Sequence, residues 1–398
     1  MRVLHTSDWH IGQVFKAQSR EVEHTLFFAW LKEKIVAQKI DALLVSGDLF
    51  DVANPSSSAL KSYYNFLTSL IGSCCKKIII TGGNHDGIAT LEAPKELLEV
   101  LNIDVISGDK KSLQNRENII IKLHNEAGEL DALVCGVPFL REQVLRHASP
   151  SQDAREVERD IAEATKEFYK ETLECAKKIS ACVPVIAMGH LTVLGSDSSE
   201  SERELYLGKL KGVDSGMFEG YDYVALGHLH RAQKVAKSAF IRYSGSPIPL
   251  SFSEANSQKK LLVYDTKAKD VSEIEIPRFR ELYRLRGDLL EIKKMLKEIK
   301  SEGLAPFEEV LVEDEYATTQ TLQSIEELAQ SLDILLLEIK TSNVEREKRG
   351  NFEVQKLDDI TPLSAFEEKL AQNELLKEQK ESLVACFKEI EEMVYEDS

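Results

Sequence analysis

Five short clusters of acid, amide and imidazole side chains recur along this chain, each directly behind an apolar run: Asp8-Trp9-His10, Gly47-Asp48-Leu49-Phe50-Asp51, Gly82-Gly83-Asn84-His85-Asp86, Gly189-His190 and Gly227-His228-Leu229-His230. One histidine at a strand end is most often a satisfied core residue. Here five of nine histidines (His10, His85, His190, His228 and His230) occupy such positions, which argues for shared chemistry. Asp8, His10, Asp48, Asn84, His190, His228 and His230 offer carboxylate, amide and imidazole donors and no sulfur. That is more than one ion needs once water and substrate positions are left open, so two ions are implied, and Mn²⁺, Fe or Zn²⁺ would suit such donors. Asp48, from the middle strand, is the natural carboxylate to lie between them. A pair of ions supports phosphoryl transfer by Lewis acidity and by making a nucleophile available from water near neutral pH. His85, next to Asn84, is placed to protonate or stabilise a leaving oxygen, with Asp51 or Asp86 holding its ring in one tautomer.

Such residues converge only if the elements carrying them do. Arg2 to Ser7, Ala42 to Val45 and Ile78 to Thr81 read as strands, separated by helical patterns over Glu21 to Gln38 (Leu26, Phe27, Trp30, Leu31, Ile35) and around Leu60 to Ile71. Asp8 to Asp48 and Asp48 to Asn84 each span about the length of one βαβ unit. Consecutive right-handed units bring the carboxyl ends of their strands to one edge of an open sheet, where sites form. A helix over Thr90 to Leu101, strands at Ile119 to Leu123 and Ala132 to Val137, and an amphipathic helix over Ser151 to Ser180 follow. Pro184 to Met188 and Tyr221 to Leu226 are the strands that end in histidine. The turn-rich Arg242 to Ser253 reads as a Pro-fixed loop that could wall the site, and Leu261 to Asp265 as a strand. From about residue 280, helix and strand alternate without a histidine, as in a small α+β domain. A charged linker precedes Ser364 to Tyr395, whose apolar residues at helical spacing need a cover, either their own domain or a partner.

The chain has 398 residues, enough for two or three domains, and a formal net charge of −17. A protein that grips nucleic acid by charge alone is usually basic. Bound metal, a local basic patch or a partner must therefore supply the positive field if the substrate is DNA. No apolar run is long enough to span a membrane, and Met1 leads directly into a strand, so a cytoplasmic protein without membrane attachment is expected. The six cysteines lack Cys-x-x-Cys spacing and read as free structural thiols. There is no Gly-x-x-x-x-Gly-Lys-Ser/Thr loop, so any ATP dependence must come from another chain.

Taken together, Asp-x-His, Gly-Asp-x-x-Asp, Gly-Asn-His-Asp, Gly-His and Gly-His-x-His resemble the motifs of the calcineurin-like metallophosphoesterases. His5 to Gly12, Gly47 to Asp51, Gly227 to Ala232 and Tyr243 to Phe252 narrow the resemblance to nuclease subunits that work with an SbcC-type ATPase. The resemblance implies an α/β (α+β) fold: a two-sheet β sandwich flanked by helices, with a small α+β capping domain and partner-binding helices at the C-terminus. It implies a nuclease domain over 1–270, a DNA-recognising cap over 275–345, a linker over 346–360 and an ATPase-binding helical segment over 361–398. It further implies two Mn²⁺ ions on the seven residues above, His85 assisting at the leaving group, and a less secure role for Asp51, whose position is histidine in some relatives. The activity implied is hydrolysis of DNA phosphodiesters, 3′ to 5′ on duplex ends and endonucleolytic on single strands and hairpins, in DNA repair, recombination and replication. A homodimer within a heterotetramer, associated with the nucleoid, is implied as well. A phosphatase of cyclic nucleotides or phosphoproteins, or an inactive scaffold, are the competing readings. The extra domain and terminal helix count against the first, and the complete donor set against the second.

Overall fold

A computed structural model describes residues 1–145, 154–199, 201–202, 212–299, 303–314 and 318–341. The expected linker and terminal helices lie outside the described residues, as does Cys386. The five described cysteines are unpaired.

Two six-stranded sheets face each other. In the first the strand order is Asp270–Glu275, Lys260–Asp265, Arg2–Thr6, Ala42–Ser46, Lys77–Thr81, Ile103–Ile106. The last four strands are parallel and the first two antiparallel additions. In the second the order is Gln233–Lys234, Ile241–Tyr243, Tyr223–Gly227, Val185–His190, Leu130–Gly136, Ile120–His124, with a parallel centre and antiparallel edges. Alternation along each strand explains the layering. Val3, Ala42, Leu44 and Ile79 point between the sheets toward Ile186, Met188 and Ala225. Their neighbours Leu4, Leu43, Val45, Ile78 and Ile80 point outward to the helices. Helix Glu21–Ala37 lays Phe27, Phe28, Leu31 and Ile35 on that outer face. Helix Ser57–Ser69 adds Tyr63, Phe66 and Leu67, started by a Ser56 cap that accepts from the Ala59 N–H. Helix Ala154–Ile179 covers the second sheet, with Leu173 and Ala176 against Leu133 and Cys135.

The structure corrects three expectations drawn from spacing. The site strands do not share one open sheet: they belong to two, the sandwich that the family resemblance implied. Leu26 is exposed rather than part of the helix's buried face. The stretch over Thr90 to Leu101 is two short helices, Ile88–Glu92 and Lys95–Val100, because Pro94 has no N–H with which to continue the first.

Beyond residue 280 a separate three-stranded parallel sheet (Leu282–Gly287, Phe307–Val312, Leu335–Thr341) is crossed over by helices Leu289–Glu298 and Thr319–Ser331, both opened by capping boxes. One face packs on these helices through Leu285, Val310, Val312, Ile292 and Ile325. The other brings Leu282 and Phe307 against Phe15 and Phe252 of the sandwich. At that seam the buried Glu23 accepts from Arg20 Nε (2.8 Å) and Arg280 Nε (2.7 Å), and the Arg280 guanidinium lies over the Phe307 ring. Among the described residues no helix is long and apolar enough to cross a membrane.

Candidate metal centre

The five polar clusters meet where the carboxyl ends of both sheets' parallel strands come together. Asp8 and His10 follow Arg2–Thr6, Asp48 follows Ala42–Ser46, and Asn84 and His85 follow Lys77–Thr81. From the opposite sheet come His190, the last residue of its strand, and His228 and His230, which follow Tyr223–Gly227. Backbone bonds tie the turns to one another: Asp8 N–H to Gly47 O and His10 N–H to Asp48 O, both 3.0 Å. Carboxylates add further ties, Asp48 Oδ1 accepting from the His85 N–H and Asp8 Oδ1 from the His228 N–H, both 2.9 Å. Four of these residues hold left-handed backbones, Asp8 (φ 52°), His10 (46°), Asp48 (50°) and His228 (98°). Each such conformation costs about 1–3 kcal/mol and persists where surrounding structure imposes it. Glycine is required beside them by close approach: a Cβ on Gly83 would lie 2.1 Å from Asp48 Oδ1, and one on Gly227 1.8 Å from Ser46 O.

The donor atoms then crowd together in a way that a cation would relieve. His190 Nδ1 donates to Ser46 O (3.0 Å), which leaves a lone pair on the Nε2 of the neutral ring. That Nε2 faces two acceptors, Asn84 Oδ1 at 2.9 Å and Asp48 Oδ2 at 3.2 Å. His10 Nδ1 bonds Asp51 Oδ1 (3.1 Å), while its buried Nε2 has no hydrogen-bond partner and lies 3.6 Å from Asp48 Oδ2. Three overlapping groups bring their donor atoms within 4.8 Å of one another: Asp8, His10 and His230; Asp8, Asp48 and His190; and His10, Asp51 and His85. Acceptors held this close, with almost no solvent, require a proton or a cation between them. The donor set therefore fits a divalent metal centre.

Electrostatics carry the same signature. Burial pushes the Asp8 carboxyl up to about 7, opposed by the His190 imidazole. Burial would raise Asp48 too, but His190, its closest imidazole, together with His10 and His85, holds it well below the usual carboxylate range. Burial would lower His190, yet Asp48 and Asp8 lift it to about 9, and His10 is raised by its bond to Asp51 and by Asp48 and Asp8 against the same burial. His228 falls to about 3 and His230 well below its ordinary value, both chiefly through desolvation.

The two carboxylates weighed as partners of His85 divide differently from either alternative. His85 Nδ1 bonds the main-chain oxygen of Asp51 at 2.7 Å, whereas the Asp51 carboxylate serves His10. Asp86 does neither: its oxygens accept from the N–H groups of Leu49, Phe50 and Gly83 and knit two turns together. The Ser-Pro loop after Arg242 is both a support and a wall: Leu250, Ser251 and Phe252 line a cleft that reaches Ser201 beside His230, while its serines brace the centre. Ser244 Oγ bonds Ser7 Oγ (2.8 Å), whose hydroxyl donates to Asp8 Oδ2, and Ser246 sits behind His230. Reasoning from sequence passed over Ser46, Ser201, Glu202, Glu254 and Lys259, which touch the donor residues or their supports. The one signal available was the serine and glutamate density near residue 200. His5 and His24, both without a site context in the sequence, are buried structural rings bonded to Tyr223 Oη and Leu226 O, and to Arg20 O and Trp9 O.

A two-sheet sandwich with an imidazole and carboxylate cluster at one edge defines a calcineurin-like phosphoesterase, and the family model of that description matches residues 1–232. The chain belongs to that family, whose members bind divalent metal. A second model, described as a type 5 capsule protein repressor C-terminal domain, matches residues 278–374. Within the family the chain belongs with the SbcD proteins, the D component of the nuclease SbcCD. It is 32% identical to SbcD of Escherichia coli strain K12 over 97% of both chains. The Rhodobacter capsulatus protein of the same name is 35% identical over 78% of this chain and 74% of its own, and the Bacillus subtilis protein 32% over 67% and 66%.

Proposed function

We propose that this chain is the nuclease subunit of an SbcCD-type complex, a two-Mn²⁺ phosphodiesterase that cuts DNA together with an SbcC-type ATPase. The observation that carries the reading is the confluence of seven oxygen and nitrogen donors from both sheets, with imidazole lone pairs aimed at carboxylate and amide oxygens. Asp8, His10, Asp48, Asn84, His190, His228 and His230 are the residues that would hold the ions. When bound, the pair supplies Lewis acidity to the scissile phosphate and a nucleophile from water at neutral pH. His85 acts beside the ions. Its Nδ1–H donates to Asp51 O, which orients Nε2 to meet the leaving oxygen and, when protonated, to give it a proton. Asp51 positions His10 through its carboxylate.

A net charge of −17 requires a local positive field for a polyanionic substrate. A cleft of about 640 Å³ between sandwich and third sheet is lined by Lys16, Arg284, Arg286 and Lys340, and each of them is paired with Glu338, Glu309 or Glu313, so a phosphate-bearing polymer held here takes these cations from their carboxylates. It reaches Ser201, which touches His230. In this reading residues 1–270 form the nuclease domain and 275–345 a cap over DNA, while 346–360 link to helices in 361–398 that bind the ATPase. Two copies act in one assembly in the cytoplasm, at the nucleoid. Duplex ends are degraded 3′ to 5′, and hairpins and single strands are opened internally.

The test uses an end-labelled hairpin duplex with the purified chain and Mn²⁺, with and without an SbcC-type partner and ATP. Mn²⁺-dependent cutting, reduced about 10²–10⁴-fold in His85→Ala with unchanged Mn²⁺ affinity, is the expected outcome. Cleavage of cyclic nucleotide but of no form of DNA would overturn it, and full activity in His85→Ala would remove that residue from the mechanism.

A further inference from the structure

Behind His230 lies a buried charged relay that the metal centre does not itself require. Lys259, 5% exposed, and Glu254, fully buried, form an ion pair in the interior. Lys259 Nζ also donates to His230 O (2.8 Å) and Ser246 Oγ (2.9 Å). The other Glu254 oxygen accepts from Ser251 Oγ (3.1 Å), Ser199 Oγ (3.2 Å) and Ser201 Oγ (2.5 Å). Ser201 Oγ in turn lies 2.6 Å from His230 Nδ1, and the neighbouring Glu202 Oε1 accepts the His230 backbone N–H at 2.7 Å.

A hydroxyl has one proton to give and two lone pairs with which to accept. Ser201 stands between a carboxylate, which can only accept, an imidazole nitrogen, which can do either, and Ser199 Oγ (2.8 Å), which can donate into its second lone pair. Giving its proton to Glu254 makes the charge-assisted and shorter bond, so Ser201 must accept from His230 Nδ1–H. A neutral imidazole with its proton on Nδ1 carries its lone pair on Nε2. His230 is the ring that joins Asp8 and His10 in a donor group, and its centroid is 5.0 Å from that of His10.

We propose that Glu254 and Ser201 are positioning residues that lock His230 in the Nδ1–H tautomer, with Lys259 holding Glu254 in place, so that Nε2 is delivered to the pocket as a ready ligand atom. The proposal rests on the reading of His230 as a metal ligand for its consequence, but not for the tautomer itself. The same arrangement occurs at His190, whose Nδ1 donates to Ser46 O, but there a main-chain carbonyl, which side-chain substitution leaves in place, fixes the ring. At His230 the fixing group is a side chain on the segment entering from residue 199, and it can be removed without touching the strand.

The test begins with metal-free full-length protein labelled with ¹⁵N-histidine, with the His230 resonances assigned by their loss in a His230 variant. Long-range ¹H–¹⁵N correlation should give the Nδ1–H pattern in the wild type. In Ser201→Ala the ring should shift toward the Nε2–H form or a mixture, and Ser201→Thr, which keeps the hydroxyl, should restore the wild-type pattern. Mn²⁺ affinity by calorimetry should fall about 10–100-fold in Ser201→Ala and recover in Ser201→Thr, the range seen when an outer partner of a ligand histidine is lost. Glu254→Gln should move the ring nitrogen shifts in the same direction, with melting curves confirming that the variant folds. An Nε2–H ring in the wild type, or unaltered shifts and affinity in Ser201→Ala, overturns the relay. If the wild type binds no Mn²⁺, the proposed centre fails, while the ring nitrogen shifts still decide the relay.

Discussion

Glu308 offers the sharpest check on the physics of the third sheet. It sits on the central strand Phe307–Val312, between Tyr283 and Leu336, on the face that carries Val310 and Val312 into the helix-covered core. Its side chain is fully buried, and neither carboxylate oxygen has a hydrogen-bond partner. Burial alone pushes the carboxyl from 4.5 up to about 7. A raised carboxyl means that the folded chain holds its proton to higher pH than the unfolded chain does. Stability is therefore undiminished below about pH 4.5, declines as pH rises toward 7, and carries the full penalty above it. At about 1.4 kcal/mol per pH unit the penalty is about 3 kcal/mol at pH 8 and about 1 kcal/mol at pH 5. Glu308→Gln keeps the shape and removes the charge, so it should stabilise the sheet by those amounts. The assay is native-state hydrogen exchange of the peptide covering Phe307–Val312, wild type against variant at each pH. Exchange should slow by on the order of 100-fold at pH 8 and by only several-fold at pH 5. Equal gains at both values, or none at pH 8, would refute the argument that desolvation of an unpaired charge dominates here.

Removing divalent metal with EDTA should lower the melting temperature, and Mn²⁺ at about 100 times its Kd should restore about 2.7 kcal/mol; an unchanged melting curve after verified metal removal would count against the centre. Glu23→Ala strands the guanidinium groups of Arg20 and Arg280 at the seam between sandwich and third sheet and should cost about 3–5 kcal/mol, read as a large drop in melting temperature, with Glu23→Gln costing less. Gly83→Ala drives a methyl into Asp48 at 2.1 Å, with the Asp48 backbone nitrogen at 2.3 Å, so calorimetry should show weakened Mn²⁺ binding. Cleavage should fall about 100-fold in that variant, and wild-type affinity there would mean that the turn is looser than drawn.

Much of the site could be read in one dimension because each donor cluster is local. An apolar run stiffens the chain and the donor follows within two or three residues, behind a glycine at Asp48, Asn84, His190 and His228 and without one at Asp8, so these residues announce themselves without any partner in view. The alternation of helix and strand beyond residue 280 was legible for the same reason, since helix Thr319–Ser331 carries its cap and its buried Ile325 and Ala329 within one stretch. Where contacts rather than local pattern decide, the reading went astray. Leu26 has helical spacing but faces solvent, since only packing selects which side of a helix is covered. The edge strand Asp270–Glu275 is mostly polar and paired on one side, so its sequence carries no apolar run to mark it.

By itself, the sequence determined which side chains could bind metal and that they would emerge at strand ends, because those properties depend on residue type and on neighbours a few positions away. Only the tertiary structure decided that the donors come from two facing sheets, that Asp51 serves His10 with its carboxylate and His85 with its backbone, and that Glu254 and Ser201 stand behind His230. These are contacts across 29 to 53 residues or more. No local propensity encodes them: they exist only once the burial of two hydrophobic layers has brought distant turns within hydrogen-bonding range.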